Sequence, residues 1–330
     1  MPFSVAFTNP RPDYDFRYER EALDPIDARV LSVRAASEEE LIQAAAEADA
    51  LVPGPRVRIT SNVIAGLNRC RIIANGGIGV DSVDVEAATA RGIPVTNIPD
   101  LFVDEVADQA FALLLAAQRK VVVCHTLASS GRWGEGWAAL GHVQKLRGAT
   151  LGLLAFGNIA RQVAIRAKAF GMRVLAFDPF VTPDAMAQAG VESRSLDDLL
   201  RESDFVSAHA PLTRGTFHLM SEPQFRLMRK HAIFVNTGRG GVVDEAALIK
   251  ALQEGWIQSA ALDVLEQEPP DPNNPLLKMP NVIITPHIAS YSIEANVARR
   301  QRVGQEIAAV LTGGRPRHVV NSQVYERVQA

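Results

Sequence analysis

The chain has 330 residues, 47% of them hydrophobic, which is enough for two domains with proper cores. Its 34 basic and 37 acidic side chains leave a formal net charge of −3, and the basic residues form no run, so nothing points to a nucleic-acid partner. Two cysteines, Cys70 and Cys124, are too few for a disulfide framework or a metal site, and no stretch approaches the ~18 apolar residues of a membrane span.

The opening MPFSVAFTNP lacks a charged leader and a long apolar core, so it reads as a first strand and not as a signal peptide. With the two thiols expected to be buried, a reducing, cytoplasmic setting fits. Short apolar runs at 4–7, 28–33, 50–52, 71–74 and 94–96 read as strands. Between them lie helical patterns at 37–46, 61–67 and 83–91. The first opens on Ser37 and Glu40 in capping-box spacing, and Gly92 stops the last. This alternation predicts a parallel sheet flanked by helices. Asn75-Gly76-Gly77-Ile78-Gly79-Val80-Asp81 follows one strand. Its bare amides form either an anion-binding nest or an ordinary flexible loop.

Residues 103–120 form a long helical pattern rich in Ala and Leu, expected to cross from a first domain into a second. Residues 126–144, with Gly131, Trp133, Gly134, Gly136 and Trp137, read as a loop with aromatic anchors. The tryptophans either mark a subunit contact or pack on their own chain.

An apolar run at 151–156 then ends on Gly157, and a helix follows with Ile159, Val163, Ala167 and Phe170 on one face. A second run at 174–177 ends on Asp178, which lies 21 residues beyond Gly157. Strand, turn, helix, strand and acid make half of a dinucleotide-binding unit: a helix N-terminus suits a pyrophosphate, and an acid ~20 residues on suits a ribose. Ala160 is an accepted small residue at the third fingerprint place. Ala155 stands where a glycine normally makes the turn, and alanine takes positive φ less readily. The other reading is a plain buried βα unit whose Asp178 caps a strand.

Helices near 184–189, after Ser195 (with Asp198 in the box position), at 222–227 and from Asp244 to Glu254 alternate with strands at 205–208, 232–236, 259–264 and 282–285. A final helix covers about 292–311. Both halves share the βα rhythm, which predicts an α/β chain of two doubly wound parallel-sheet domains with a cleft between them. Arg239, Glu268 and His287 each follow a strand of the second half, where ligands of open α/β sheets bind. Arginine offers a planar fork for a carboxylate, and histidine passes a proton near neutrality with a carboxylate to orient it. Taken singly, Arg239 also reads as a surface cation beside Asp244, Glu268 as a solvated acid and His287 as a strand-end histidine.

The stretches NGGIGVDSVD (75–84), NIPDLFVDEVADQAFALLL (97–115), GLLAFGNIARQVAIRAKAFGMRVLAFDPF (152–180), HAPLT (209–213), NTGRGGVVDEAAL (236–248), ALDVLEQEP (261–269) and TPHIASYS (285–292) resemble the D-isomer-specific 2-hydroxyacid dehydrogenases. RAKAFG and FDPF look most like the C-terminal-binding-protein-like branch. The resemblance implies a Rossmann NAD-binding domain (100–290) inserted into a flavodoxin-like substrate domain (1–99 and 291–330). It also implies a homodimer supported by the bridging helix. By position, Arg239 would bind the substrate carboxylate and carbonyl, His287 act as acid/base and Glu268 as its partner. Gly77, Ile78 and Gly79 would hold the substrate carboxylate through their amides. Ala155, Phe156, Gly157, Asn158 and Ile159 would line the pyrophosphate, and Asp178 the ribose. His209, Ala210, Pro211, Thr213, Thr237 and Gly238 would line the rest of the cofactor. Val106, Asp263, Arg239 and His287 would border the nicotinamide end.

Glu268 argues against formate, which related enzymes handle with Gln there. Ser290 replaces a Trp common in the corepressor branch, and little chain follows Gly314 to build a regulatory domain. Pro179, Phe180 and Val181 supply no arginine for a 2′-phosphate, so NAD is expected over NADP. The expected activity is reversible NAD-dependent reduction of a small 2-oxo acid to a (2R)-2-hydroxy acid. An NAD(H)-sensing corepressor-like protein with vestigial activity is the alternative from another class, and a phosphite-type dehydrogenase shares the frame. Pocket shape would depend on loops near 52–55, 101–102 and 290–291.

Overall fold

A computed structural model of the protein describes residues 2–55 and 57–326. The chain divides into two compact units, one of residues 1–101 and 292–330 and the other of 102–291. Met1, Arg56 and residues 327–330 of the first unit lie outside the described residues.

The first unit contains β1 (Phe3–Thr8), α1 (Arg17–Leu23), β2 (Ala28–Val33), α2 (Glu38–Ala45), β3 (Ala50–Val52), α3 (Ser61–Gly66), β4 (Ile72–Ala74), α4 (Val85–Ala90) and β5 (Val95–Thr96). Its strands form one parallel sheet in the order β2-β1-β3-β4-β5. Side chains set the helix starts: Ser37, Thr60 and Asp84 each accept the backbone N–H three residues on, which satisfies donors that the helix leaves open.

The second unit runs through α5 (Val103–Gln118), α6 (Val121–Ser129), β6 (Thr150–Leu154), α7 (Asn158–Ala169), β7 (Arg173–Phe177), α8 (Pro183–Gln188), β8 (Glu192–Ser193), α9 (Leu196–Glu202), β9 (Phe205–Ala208), α10 (Glu222–Leu227), β10 (Ile233–Asn236), α11 (Glu245–Gln253), β11 (Ser259–Leu262) and β12 (Val282–Ile284). The strands form a parallel sheet in the order β12-β11-β10-β9-β6-β7-β8. Burial on both faces explains why these strands read as unbroken apolar runs and not as alternations. Gly152 in β6 is obligatory for packing, since a Cβ there would lie 2.4 Å from Ser203 Oγ and 2.5 Å from Leu199 Cδ2. After this unit the chain returns to the first as α12 (Ile293–Leu311), started by the Ser292 side chain.

Several expectations are corrected. The helix at 103 starts at the first residues of the second unit and belongs wholly to it, so it does not cross from one unit to the other. It packs on α7 and on β10, β11 and β12. The expected loop at 126–144 is helical up to Ser129. On α7 the buried stripe is Ala160, Val163, Ala164 and Ala167, while Phe170 is 44% exposed, with its ring beside that of Phe111. Cys70 and Cys124 are free and only partly buried. Among the described residues no single helix is long and apolar enough to cross a membrane.

Candidate active site

Because every strand of the larger sheet is parallel, the residues that follow the strands collect on one edge. β6 ends at Leu154, and Ala155 turns the chain with φ 71°. Its N–H donates to Phe177 O (2.8 Å), at the end of the neighbouring strand. The next N–H, of Phe156, donates to Asp178 Oδ2 (2.8 Å), and Asp178 Oδ1 accepts the Phe180 N–H (2.8 Å). Turn and acid are therefore one structure, although 22 residues separate them. The Phe156 side chain is fully buried and its N–H is taken, so its part is to anchor the turn, not to face a ligand. Gly157 caps α7, whose first N–H groups at Asn158 and Ile159 carry the helix's partial positive charge. A Cβ on Gly157 would meet no atom within 4 Å, so the space before this helix end is open.

After β9, His209 donates its backbone N–H to Leu154 O (2.9 Å) and sets Nε2 2.9 Å from Ser207 Oγ. Burial pushes its imidazole down to about 4, so it is neutral at pH 7. Its buried Nδ1 has no partner among the described residues, and neither has Thr237 Oγ1 after β10. Two orphaned polar atoms on a ligand-binding edge fit a bound group that supplies the missing hydrogen bonds. Ala210 is buried, whereas Pro211 and Thr213 are exposed, with Thr213 N–H bonded to Thr216 Oγ1 (2.8 Å).

Asn236, at the end of β10, shapes the following turn. Its Oδ1 accepts the Gly238 N–H (3.0 Å) and its Nδ2 donates to Arg239 O (3.0 Å). The half-buried Arg239 guanidinium donates to Gly238 O (2.9 Å). Gly240 lets this turn lie directly against the loop after β11: a Cβ there would sit 1.9 Å from Leu265 O. In that loop Glu268 Oε1 accepts the Leu265 N–H (3.1 Å), and Glu268 Oε2 lies 2.7 Å from His287 Nδ1. With the carboxylate ionised, Nδ1 carries the hydrogen and Nε2 is left for a reacting atom.

Asp263, only 2% exposed, takes the Thr285 hydroxyl and the Ile288 and Ala289 N–H groups (3.1 and 2.9 Å), and the His287 N–H donates to its backbone oxygen (2.8 Å). It thus moulds the turn in which His287 adopts φ 55°. Backbone strain of this kind clusters where side chains are aimed for function. Gln109 on α5 donates to Thr285 Oγ1 (3.2 Å), which brings the buried Val106, one turn earlier, to the same edge.

Gly77, Ile78 and Gly79 belong to the other unit. All three carbonyls are tied inward: Asn75 Nδ2 donates to Gly77 O (3.2 Å) and Gly79 O (2.8 Å), Ile98 N–H to Gly77 O (2.9 Å) and Asn97 Nδ2 to Ile78 O (2.8 Å). Their amide N–H groups have no acceptor among the described residues. The loop is therefore held by its carbonyls, with amide donors to spare, and is not slack. Asn75, Asn97, Ser207, Asn236, Gln109 and Thr285 escaped the sequence reading. For all but Gln109, which lies inside α5, the one signal was an amide or hydroxyl beside a glycine-rich turn or a strand end.

Residues 111–289 match the model of the D-isomer specific 2-hydroxyacid dehydrogenase, NAD binding domain. A glyoxylate reductase of Korarchaeum cryptofilum is 44% identical over 291 residues, covering 87% of each chain. The structure of a D-lactate dehydrogenase from Aquifex aeolicus, complexed with NAD and lactic acid, superposes with a TM-score of 0.85 at 28% identity, covering 96% of this chain and 99% of that one. A glyoxylate reductase from Paecilomyes thermophila gives 0.85 at 28%, covering 98% and 100%. The open helix end, the acid at the end of β7 and the orphaned polar atoms suit NAD, and the chain belongs to the D-isomer specific 2-hydroxyacid dehydrogenase family, as an NAD-dependent enzyme that reduces 2-oxo acids.

Proposed function

We propose that this enzyme reduces small 2-oxo acids, glyoxylate among them, to (2R)-2-hydroxy acids, with His287 as the proton donor. The observation that carries this reading is the His287–Glu268 pair at 2.7 Å on the carboxyl edge that also bears Arg239 and the pyrophosphate turn. NADH supplies the hydride. Arg239 offers its fork to the substrate carboxylate and carbonyl oxygen, which draws charge toward that oxygen. Glu268 fixes the imidazole so that Nε2–H faces the oxygen and delivers its proton, and in the reverse direction Nε2 accepts it. The amides of Gly77, Ile78 and Gly79 hold the substrate carboxylate.

On the cofactor side, Asn158 and Ile159 face the pyrophosphate and Asp178 the adenosine ribose. Asp178 accepts two backbone N–H bonds and has lone pairs left for ribose hydroxyls, while its charge repels a 2′-phosphate. Asp263 Oδ2 accepts the Ala289 N–H and keeps a lone pair for the nicotinamide amide. Thr237, His209 and the backbone of Ala210, Pro211, Thr213 and Gly238 complete the lining.

A panel of 2-oxo acids followed by NADH or NADPH oxidation, with chiral analysis of the product, tests this. NADH-driven formation of the (2R) acid is expected. Tight NADH binding without any turnover would instead favour the sensor reading, and equal or better use of NADPH would remove the role given to Asp178. We also place the protein in the cytoplasm as a homodimer. Trp133 and Trp137 are 81% and 85% exposed, and Val121 and Val122 on α6 are exposed as well, an apolar set that a second copy would cover. A monomeric mass by light scattering would refute the dimer.

A further inference from the structure

The helix α12 places three arginines within one turn, and two of them are neutralised. Arg300 is paired with Glu19 (2.9 Å) and Asp15 (2.7 Å), and Arg302 with Asp100 (3.3 Å). Arg299, half-buried, meets no carboxylate among the described residues. Its guanidinium donates to Asn296 Oδ1 (2.9 Å). It packs against the glycine-rich loop of the same unit: a Cβ on Gly76 would lie 3.4 Å from Arg299 Nη1 and 3.6 Å from its Cδ. A half-exposed guanidinium held against a loop, with no carboxylate of its own, is available to an anionic ligand.

The loop beside it already offers the three unpaired amides of Gly77, Ile78 and Gly79, enough for one carboxylate. A substrate with one anionic group therefore leaves Arg299 unmatched, and a substrate with two matches both. Guanidinium is the side chain best suited to a planar carboxylate or a phosphate.

We propose that Arg299 is a substrate-recognition residue that selects 2-oxo acids carrying a second anionic group, a carboxylate or a phosphate ester, away from the reacting carbonyl. This rests on the reading of the glycine-rich loop as a substrate-anion site. The test compares kcat/KM, with NADH, for glyoxylate and pyruvate (one anion), oxaloacetate and 2-oxoglutarate (a second carboxylate) and 3-phosphohydroxypyruvate (a phosphate). It uses the wild type and the variants Arg299→Leu, Arg299→Gln and Arg299→Lys, with Tm measured for each. Hydrogen bonds to charged groups contribute about 1.5–3 kcal/mol, so Arg299→Leu should lower the dianion-to-monoanion preference by about tenfold to a hundredfold, mainly through KM.

Arg299→Gln, which keeps the length of the chain, should show the same loss even if the leucine variant is unstable. Arg299→Lys should restore part of it. The larger loss, for oxaloacetate or for phosphohydroxypyruvate, names the second anion. A wild type that favours pyruvate over every dianion, or a ratio that stays within about twofold in Leu and Gln variants alike, overturns the proposal while leaving 2-oxo acid reduction intact. If the wild type turns over none of these acids, both readings fall together.

Discussion

Ala155→Gly should leave the protein as stable or make it more stable, unusual for a change to glycine. Ala155 holds φ 71°, fixed on both sides by the N–H bonds of Ala155 to Phe177 O and of Phe156 to Asp178 Oδ2, each 2.8 Å. A left-handed conformation costs an L-residue about 1–2 kcal/mol, and glycine pays none of it. Against this, glycine makes the unfolded chain freer, at about 0.4–1 kcal/mol. The difference runs from zero to about 1.5 kcal/mol in favour of glycine, worth a Tm rise of up to about 3–6 °C for a unit of this size. Ala155→Val sharpens the test, because a β-branched residue at positive φ is a true outlier and should lower Tm. Differential scanning calorimetry of the three proteins, with and without NADH, reads the order. Glycine clearly below alanine, or valine equal to it, would refute the claim that the turn holds a strained residue.

Two further outcomes follow from the same edge. Gly240→Ala forces a methyl to 1.9 Å from Leu265 O, so the turn bearing Arg239 and the loop bearing Glu268 must separate. The variant should lose about 1–3 kcal/mol of stability, read by urea denaturation, and a larger share of kcat/KM; normal kinetics would show that the contact is slack. Stability should also fall in acid through His209. Its folded value, about 4, lies below the ordinary 6.5, so the unfolded chain takes up the proton first. The contribution is complete above about 6.5 and is lost as pH falls toward about 4, by up to about 3 kcal/mol. His209→Asn should flatten that part of the stability profile, and an unchanged slope would contradict it.

Much of this edge was legible because each device is local. A strand, a small residue and a helix start lie within ten letters at 151–160, and Arg239, Glu268 and His287 each stand just beyond a strand. What escaped depends on distant partners. α1 reads as a short charged stretch, and it is held by Glu19 bonding to Arg300 (3.0 Å), 281 residues away. α6 begins with Val121-Val122-Val123, weak helix formers whose first two side chains are exposed. Asn75 looks like an ordinary loop residue and Asn236 like the last residue of a strand until their amides are seen locking the turns. The wording that suggested the corepressor branch, RAKAFG and FDPF, builds the turn through Asp178, which accepts the Phe156 and Phe180 N–H groups, and marks no branch; the Phe180 side chain is almost wholly exposed.

The central claim is that His287, oriented by Glu268, moves the proton. It is tested most directly by the rate of glyoxylate reduction in His287→Asn with NADH binding measured on the same sample. General acid–base catalysis supplies about 10²–10⁴-fold, so kcat should fall by that factor while NADH still binds. Turnover within a few-fold of the wild type would contradict the account.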